Sequence, residues 1–244
     1  MPPSGRRLRD NISAEWQPRG RGAGATICRA MLHLFGWRLV MTVPHIDRAV
    51  IVFYPHTSNW DFVIGLLARF ALGIPVTWAG KDNLFHGPFR ALWRMLGGIP
   101  VNRREHTGFV AQMVEAFARH TQMLLAIAPE GTRQWTPYWK SGAWRVALAA
   151  KVPMGLSFID FARREIGVGG LLELTGDANV DFAALRAFYS DKTGRHPSQA
   201  SPIALEPRPV IAKPAPTSLA SLTSAAAREG LGAPAARAEG EATR

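Results

Sequence analysis

His56 and Asp61 have the types and the spacing of a catalytic pair. A carboxylate beside a histidine fixes the ring tautomer and stabilises the imidazolium, which leaves the other ring nitrogen free to act as a general base. The sequence SNWD at 58–61 also fits a helix capping box, in which Asp61 has a structural role. The two interpretations are compatible, because a carboxylate in the first turn of a helix can point back at the ring.

A second polar group of residues follows another apolar run, in the sequence APEGTR at 128–133. Its proline and glycine are typical of a plain turn. Arg133, however, offers a planar guanidinium suited to phosphate, and the amides of Gly131 and Thr132 could add to an anion-binding nest. The segment is therefore a candidate site for a phosphate group.

Arg103 is a third candidate for anion binding. It follows a tight Gly-Gly turn and a short strand pattern in GGIPVNR at 97–103. Arg103 and Arg104 also fit a solvated pair of surface charges, which is the common role of such residues.

Alternating strand and helix patterns must position these residues. We predict strands at 49–55, 75–80, 122–128 and 152–160, and helices at 24–37, 59–72, 88–96, from Thr107 and at 139–150. Such alternation predicts an α/β fold with a mostly parallel central sheet flanked by helices. Active sites in such sheets lie beyond the carboxyl ends of the strands, where both His56 and Glu130 fall.

The order of four short motifs resembles the glycerolipid acyltransferase family. The motifs are His-x4-Asp, Gly-x4-Arg, Glu-Gly-Thr-Arg and Val-Pro, and together they span roughly residues 48–160. The bacterial type of this family is the 1-acyl-sn-glycerol-3-phosphate acyltransferase. Two positions depart from the usual pattern: Pro55 precedes His56 where the family often has asparagine, and Gly155 follows Met154 near where a second proline often stands.

The resemblance implies a role for each matched residue. His56 would be the general base, and Asp61 would be its partner. The substrate phosphate would be bound by residues of the second and third motifs: Arg103, Glu130, Gly131, Thr132 and Arg133. Val152 and Pro153 of the fourth motif would serve acyl-donor binding or packing.

The reaction that the resemblance implies is O-acyl transfer. A fatty acyl group would move from acyl-CoA or acyl-ACP to the hydroxyl of a lysophospholipid, in the first place 1-acylglycerol-3-phosphate, giving phosphatidate. Direct transfer needs no acyl-enzyme, so we interpret Cys28 as a small core residue rather than a nucleophile. Two alternatives stay open: a different lysolipid or amino-lipid acceptor, and a non-enzymatic peripheral lipid-binding protein.

The amino-acid composition indicates which kinds of binding partner to expect. The net charge of +11, from 29 Lys+Arg against 18 Asp+Glu, favours a nucleic acid, an anionic membrane surface or an anionic small substrate. No nucleic-acid-binding motif appears, so we expect a membrane surface and no nucleic acid. A single cysteine and the absence of metal-ligand spacing predict no metal. The resemblance implies no cofactor, with acyl-CoA or acyl-ACP as co-substrate.

The sequence favours a protein that lies on a membrane. No apolar stretch reaches the ~18 uncharged residues that a spanning helix needs, because Arg69 interrupts the best candidate at 62–80. We therefore expect a peripheral or interfacial location at the cytoplasmic face of the inner membrane. Two groups of apolar residues fit either an interfacial or a packing role. They are Ile27, Met31, Leu34 and Phe35 in the first helix, and Trp135, Trp139 and Trp144 among basic residues.

Composition also divides the chain into three parts. Residues 1–23 are rich in arginine and glycine, and residues 201–244 are rich in alanine and proline. We expect both end segments to be disordered. Residues 24–200 would form one acyltransferase-like domain around the motif core at 48–160.

Overall fold

The computed structural model describes residues 10–14, 16, 22–101 and 108–206, with the backbone alone at 81, 82, 84 and 101. The strands are β1 (Asn11–Ile12), β2 (Arg38–Met41), β3 (Arg48–Tyr54), β4 (Val76–Lys81), β5 (Gly98–Val101), β6 (Met123–Ile127), β7 (Met154–Asp160) and β8 (Glu165–Leu172). The helices are α1 (Ala23–Leu34), α2 (Trp60–Leu72), α3 (Arg90–Met95), α4 (Phe109–Arg119), α5 (Gly142–Ala150) and α6 (Ala178–Tyr189). Short 3-10 turns occupy Asp82–Phe85 and Pro197–Gln199.

The strands form one sheet in the order β1-β2-β8-β7-β3-β6-β4-β5. Neighbouring strands in the described chain run parallel, except for the antiparallel pair β7 and β8. The predicted α/β class with a mostly parallel sheet flanked by helices is therefore confirmed. Because β3, β4, β5 and β6 run in the same direction, the loops after them meet at one edge of the sheet.

Strand β3 lies inside the sheet between β6 and β7, and its side chains reach both faces. Val50, Val52 and Tyr54 pack in the cluster formed with α4, α5 and α6. Ala49 and Ile51 pack in the cluster formed with α1 and α2. This explains the continuous apolar run of β3, since a strand covered on both sides has no solvent face.

One glycine in β8 is required by a close backbone approach. A Cβ atom at Gly167 would lie 1.6 Å from the carbonyl oxygen of Val40 in β2. Any side chain there would prevent the two strands from pairing.

The structure corrects the predicted boundaries of the domain. Within the segment 1–23, β1 pairs with β2, and the buried ring of Trp16 donates a hydrogen bond to the Leu72 carbonyl at 3.2 Å. At the other end, Ser201 and Ile203 are buried, so the ordered domain extends past residue 200. Of the two predicted tails, residues 1–9, 15, 17–21 and 207–244 lie outside the described residues.

Helix α3 differs from its predicted orientation. Leu96, just after the helix, is buried as expected. The helical spacing in 88–96 predicts that Leu92, Met95 and Leu96 face inward, but Leu92 and Met95 are exposed. The helix is only six residues long and packs mainly against the neighbouring 3-10 turn and β5, so it covers little of the sheet.

The apolar stripe of α4 gives a test of the core. Phe117 is fully buried against the sheet, whereas Phe89 is mostly exposed. We expect Phe117→Ala to lower the free energy of unfolding by about 3–5 kcal/mol, because it leaves a cavity in the core. Phe89→Ala, the matched control, should change it by no more than about 0.5 kcal/mol. Urea denaturation of the two variants and the wild type measures both values, and equal effects would contradict the packing described.

Candidate active site

His56 stands directly beyond the carboxyl end of β3. The peptide bond between Tyr54 and Pro55 is cis, and the His56 ring packs edge-on against Phe53 at a centroid distance of 5.9 Å. Its Nδ1 lies 3.2 Å from Oδ2 of Asp61, within ion-pair distance but without the alignment of a hydrogen bond. The side chain is 20% exposed, although Nδ1 itself is covered.

The carboxylate of Asp61 contacts both the backbone at the start of α2 and the ring of His56. Its fully buried carboxylate accepts hydrogen bonds from the backbone amides of Thr57 and Ser58, both at 2.8 Å. The Ser58 hydroxyl in turn accepts from the amide of Trp60 at 3.2 Å. The cap at the start of α2 is therefore present, and the same carboxylate lies beside the imidazole.

Glu130 fixes the backbone of His56 from the other side. Its side chain is buried, with Oε2 accepting from the His56 amide at 2.6 Å and Oε1 accepting from the Ser201 amide at 2.9 Å. Burial raises the pKa of this carboxyl, while the two amides and the nearby His56 oppose the rise. The described contacts of Glu130 are thus with protein amides, and its predicted role toward a phosphate stays a prediction.

Tyr54, at the end of β3, also contacts Ser201. Its hydroxyl donates to the Ser201 carbonyl at 3.0 Å. Burial, together with the negative charge of Glu130, raises the pKa of Tyr54 to about 12. The phenol therefore keeps its proton and its hydrogen bond at neutral pH.

The loop after β6 brings Gly131, Thr132 and Arg133 to the same edge of the sheet as His56. Gly131 has a φ of 68°, and its amide donates to the Ala128 carbonyl at 3.1 Å, which closes a tight turn. The side chain of Lys140 lies against this turn, since a Cβ atom at Gly131 would be 3.1 Å from Nζ. Lys140 thus adds a cation beside the predicted phosphate-binding loop. Its basic character was its one signal in the sequence.

Gln199 joins the two loops. With its amide nitrogen turned toward them, it donates to the carbonyls of Thr57 at 3.0 Å and Arg133 at 2.9 Å. The exposed Arg133 therefore belongs to the same rim of the site as the loop that carries His56. Sequence reasoning missed Gln199, because it lies far along the chain and outside every motif.

Two predictions concern residues away from this cluster. Arg103 lies outside the described residues, although β5, which precedes it, ends at the same edge of the sheet. Val152 and Pro153 precede β7 at the opposite, amino edge, where Val152 is buried and the Pro153 carbonyl accepts from the Val50 amide at 3.1 Å. This position supports packing rather than acyl-donor binding for the fourth motif.

The structure separates the tryptophans that the sequence grouped together. Trp139 is buried among Tyr54, Phe182 and Tyr189, so an interfacial role for it is wrong. Trp144 is half-buried and donates to Asp181 at 2.8 Å. Only Trp135 of the three is strongly exposed.

Helix α1 presents its predicted apolar stripe outward. The packing interpretation is wrong for its predicted stripe, whose members are all exposed: Ile27, Met31, Leu34 and Phe35. The polar residues Arg29 and His33 instead contact Asp10. The pattern that suggested a core-facing stripe marks a surface, because the side of the helix that packs inward is a different one.

Two kinds of feature are missing from the part of the chain that the structure describes. No helix there is long and apolar enough to cross a membrane. No group of three or more histidine, cysteine, aspartate or glutamate side chains there is arranged to hold a metal ion.

Part of this chain matches a model of a known protein family. Residues 40–155 match the family model described as Acyltransferase. This range contains His56, Asp61 and the loop at 128–133. This part of the chain is therefore similar to an acyltransferase domain. No curated protein matches the chain.

Among solved structures, the chain is similar to the crystal structure of the 1-acyl-sn-glycerophosphate (LPA) acyltransferase PlsC from Thermotoga maritima. The TM-score is 0.46 and the sequence identity is 15%. The similar part covers 69% of this chain and 74% of that chain.

The buried carboxylate of Glu130 makes the stability of the fold depend on pH. Its raised pKa means that the folded protein holds this proton at a pH where the unfolded chain has released it. The contribution of Glu130 to the free energy of unfolding therefore falls as pH rises from the ordinary glutamate pKa through the raised one.

We expect Glu130→Gln to lose this contribution. The free energy of unfolding of the variant, minus that of the wild type, should increase as pH rises through this window. Urea denaturation at a series of pH values measures the difference, and Glu115→Gln, at an exposed position, controls for the change in net charge. A difference for Glu130→Gln that stays constant with pH would contradict the assignment.

Proposed function

We propose that this chain is an O-acyltransferase. It moves a fatty acyl group from acyl-CoA or acyl-ACP to the hydroxyl of a lysophospholipid, in the first place 1-acylglycerol-3-phosphate, and the product is phosphatidate. The observation that carries the proposal is the contact of His56 with a buried Asp61 at the sheet edge that also holds the Gly-Thr-Arg loop. The family match over the same residues supports it.

The geometry supports direct transfer. The acceptor hydroxyl attacks the thioester carbonyl carbon while the exposed side of the His56 ring takes its proton. The carbon–sulfur bond then breaks, and the imidazolium returns the proton to the departing thiolate. Asp61, fixed by two amides, stabilises the imidazolium between these steps. No acyl-enzyme is needed, which leaves Cys28 without a role in the chemistry.

The basic residues of the rim fit the acceptor. Arg133 is exposed, and the ammonium of Lys140 lies against the Gly131 turn. A guanidinium and an ammonium at the same loop would suit a phosphate monoester. Holding the phosphate would orient the hydroxyl toward His56, and such positioning can contribute on the order of 7–11 kcal/mol to lowering the barrier.

The exposed apolar residues fit a lipid surface. Besides the exposed apolar residues of α1, three more lie in the first turn of α2, directly beside Asp61: Trp60, Phe62 and Val63. Together with the net charge of +11, they support a peripheral location on an anionic membrane, which we place at the cytoplasmic face of the inner membrane. The opening of the site would then face the phase that holds its lipid substrate.

The proposed base gives the first test. We expect His56→Ala to lower acyl transfer by about 10²–10⁴-fold, since it removes the group that takes the proton. The measurement is transfer from a labelled acyl-thioester, on CoA and on ACP, to a panel of lysolipids. His120→Ala, an exposed histidine at the far end of α4, should keep full activity.

Each other outcome has a defined meaning. Equal turnover by wild type and His56→Ala would overturn the mechanism. Transfer only to another lysolipid or to an amino-lipid would keep the mechanism and replace the acceptor. If neither donor supports transfer while both proteins still bind anionic vesicles, the lipid-binding alternative replaces the enzyme.

Arg133 tests the acceptor phosphate. We expect Arg133→Ala to raise KM for lysophosphatidate about tenfold, because a charge-assisted hydrogen bond is lost. KM for monoacylglycerol, which lacks the phosphate, should stay within about twofold. Arg119→Ala removes the same charge at the opposite edge of the sheet and serves as the control. Equal effects of Arg133→Ala on the two acceptors would remove Arg133 from phosphate binding.

A further inference from the structure

The segment Gly194–Ser201 follows α6, outside the family match and outside every sequence motif, yet it contacts both loops of the site. The amide of His196 donates to Oγ1 of Thr57 at 3.1 Å. The amide of Ser201 donates to Glu130, and Gln199 reaches the carbonyls of both loops. The segment therefore lies beside the two loops and forms a third part of the site.

The start of this segment is packed tightly against the loop that carries His56. A Cβ atom at Gly194 would lie 2.8 Å from Oγ1 of Thr57 and 3.1 Å from Cβ of Pro55. The backbone is thus held close to the His56 loop. As a result, the position of the next residue, Arg195, is tied to that of the loop.

Arg195 is exposed and lies over the ring of Trp60, with its guanidinium carbon 5.6 Å from the ring centroid. Trp60 is 54% exposed and immediately precedes Asp61. Within the described residues, no carboxylate forms an ion pair with Arg195. Its charge is consequently available to a ligand at the rim of the site, while stacking on the ring limits the freedom of the side chain.

We propose that Arg195, supported by Trp60, binds a phosphate group of a substrate at this site. The inference deepens the proposed function, on which it rests. A planar guanidinium offers paired donors that match phosphate oxygens, and its aromatic support orients it before binding. The phosphate belongs either to the acceptor headgroup or to the phosphopantetheine-bearing donor, and the chemistry recognised is the same in both.

Steady-state kinetics of Arg195→Ala tests the inference with one substrate varied at a time. We expect KM for one substrate to rise about tenfold while kcat stays within about twofold, because binding is lost and the base is intact. Arg195→Lys, which keeps the charge but not the planar fork, should give an intermediate KM. Arg119→Ala, which removes one surface charge elsewhere, should match the wild type.

The two arms of the experiment distinguish the sources. A rise confined to lysophosphatidate assigns the phosphate to the acceptor, and a rise confined to acyl-CoA assigns it to the donor. Unchanged KM values in both arms would overturn the proposal. A fall in kcat with unchanged KM values would also overturn it, since that result would mean that the loss acts through the base.

A binding measurement separates this inference from the proposed function. Calorimetric titration of wild type, Arg195→Ala and Arg119→Ala with sn-glycerol 3-phosphate and with coenzyme A needs no turnover. Binding of either probe that depends on Arg195, in a protein without acyl transfer, would keep the inference and remove the function. Acyl transfer by a protein whose binding of the probes does not depend on Arg195 would keep the proposed function and remove the inference. Failure of wild type to bind either probe would overturn the inference.

Discussion

The buried carboxylate of Glu130 holds together three parts of the chain that are distant in sequence. It accepts from the amide of His56 after β3 and from the amide of Ser201 near the end of the ordered domain. Burying a carboxylate is unfavourable unless hydrogen bonds compensate for the lost water. The two amides supply part of that compensation, and only when both loops are in place. The carboxylate therefore ties the order of one loop to that of the others.

Asp61 extends this arrangement along the chain. The amides of His56, Thr57 and Ser58 all donate to buried carboxylates, the first to Glu130 and the next two to Asp61. Three successive donors held in this way leave the backbone little freedom, and the imidazole of His56 sits close to both negative charges. A positive charge on this ring would therefore be stabilised by the neighbouring carboxylates.

The two faces of the sheet are covered differently. Helices α4, α5 and α6 bury aromatic and aliphatic side chains on one face. On the other face, α1 and α2 pack against each other and the sheet, but each also presents large apolar residues outward. The folded domain leaves these apolar residues exposed to water, and contact with lipid would cover them.

Local patterns in the sequence determined much of the protein: the α/β class, most strands and helices, and the candidate residues of the site. Periodicity and capping act over a few residues, so β3, α2 and the relation of His56 to Asp61 could be predicted without a fold. The tertiary structure alone decided the pairing of β1 and β2, the buried position of Trp139, and the outward face of α1. It also decided the contacts of Glu130, Gln199 and Arg195, because residues 71 and 74 positions apart carry no local sign of their hydrogen bonds. Such contacts depend on how whole elements pack, which is a property of the folded chain rather than of any short segment.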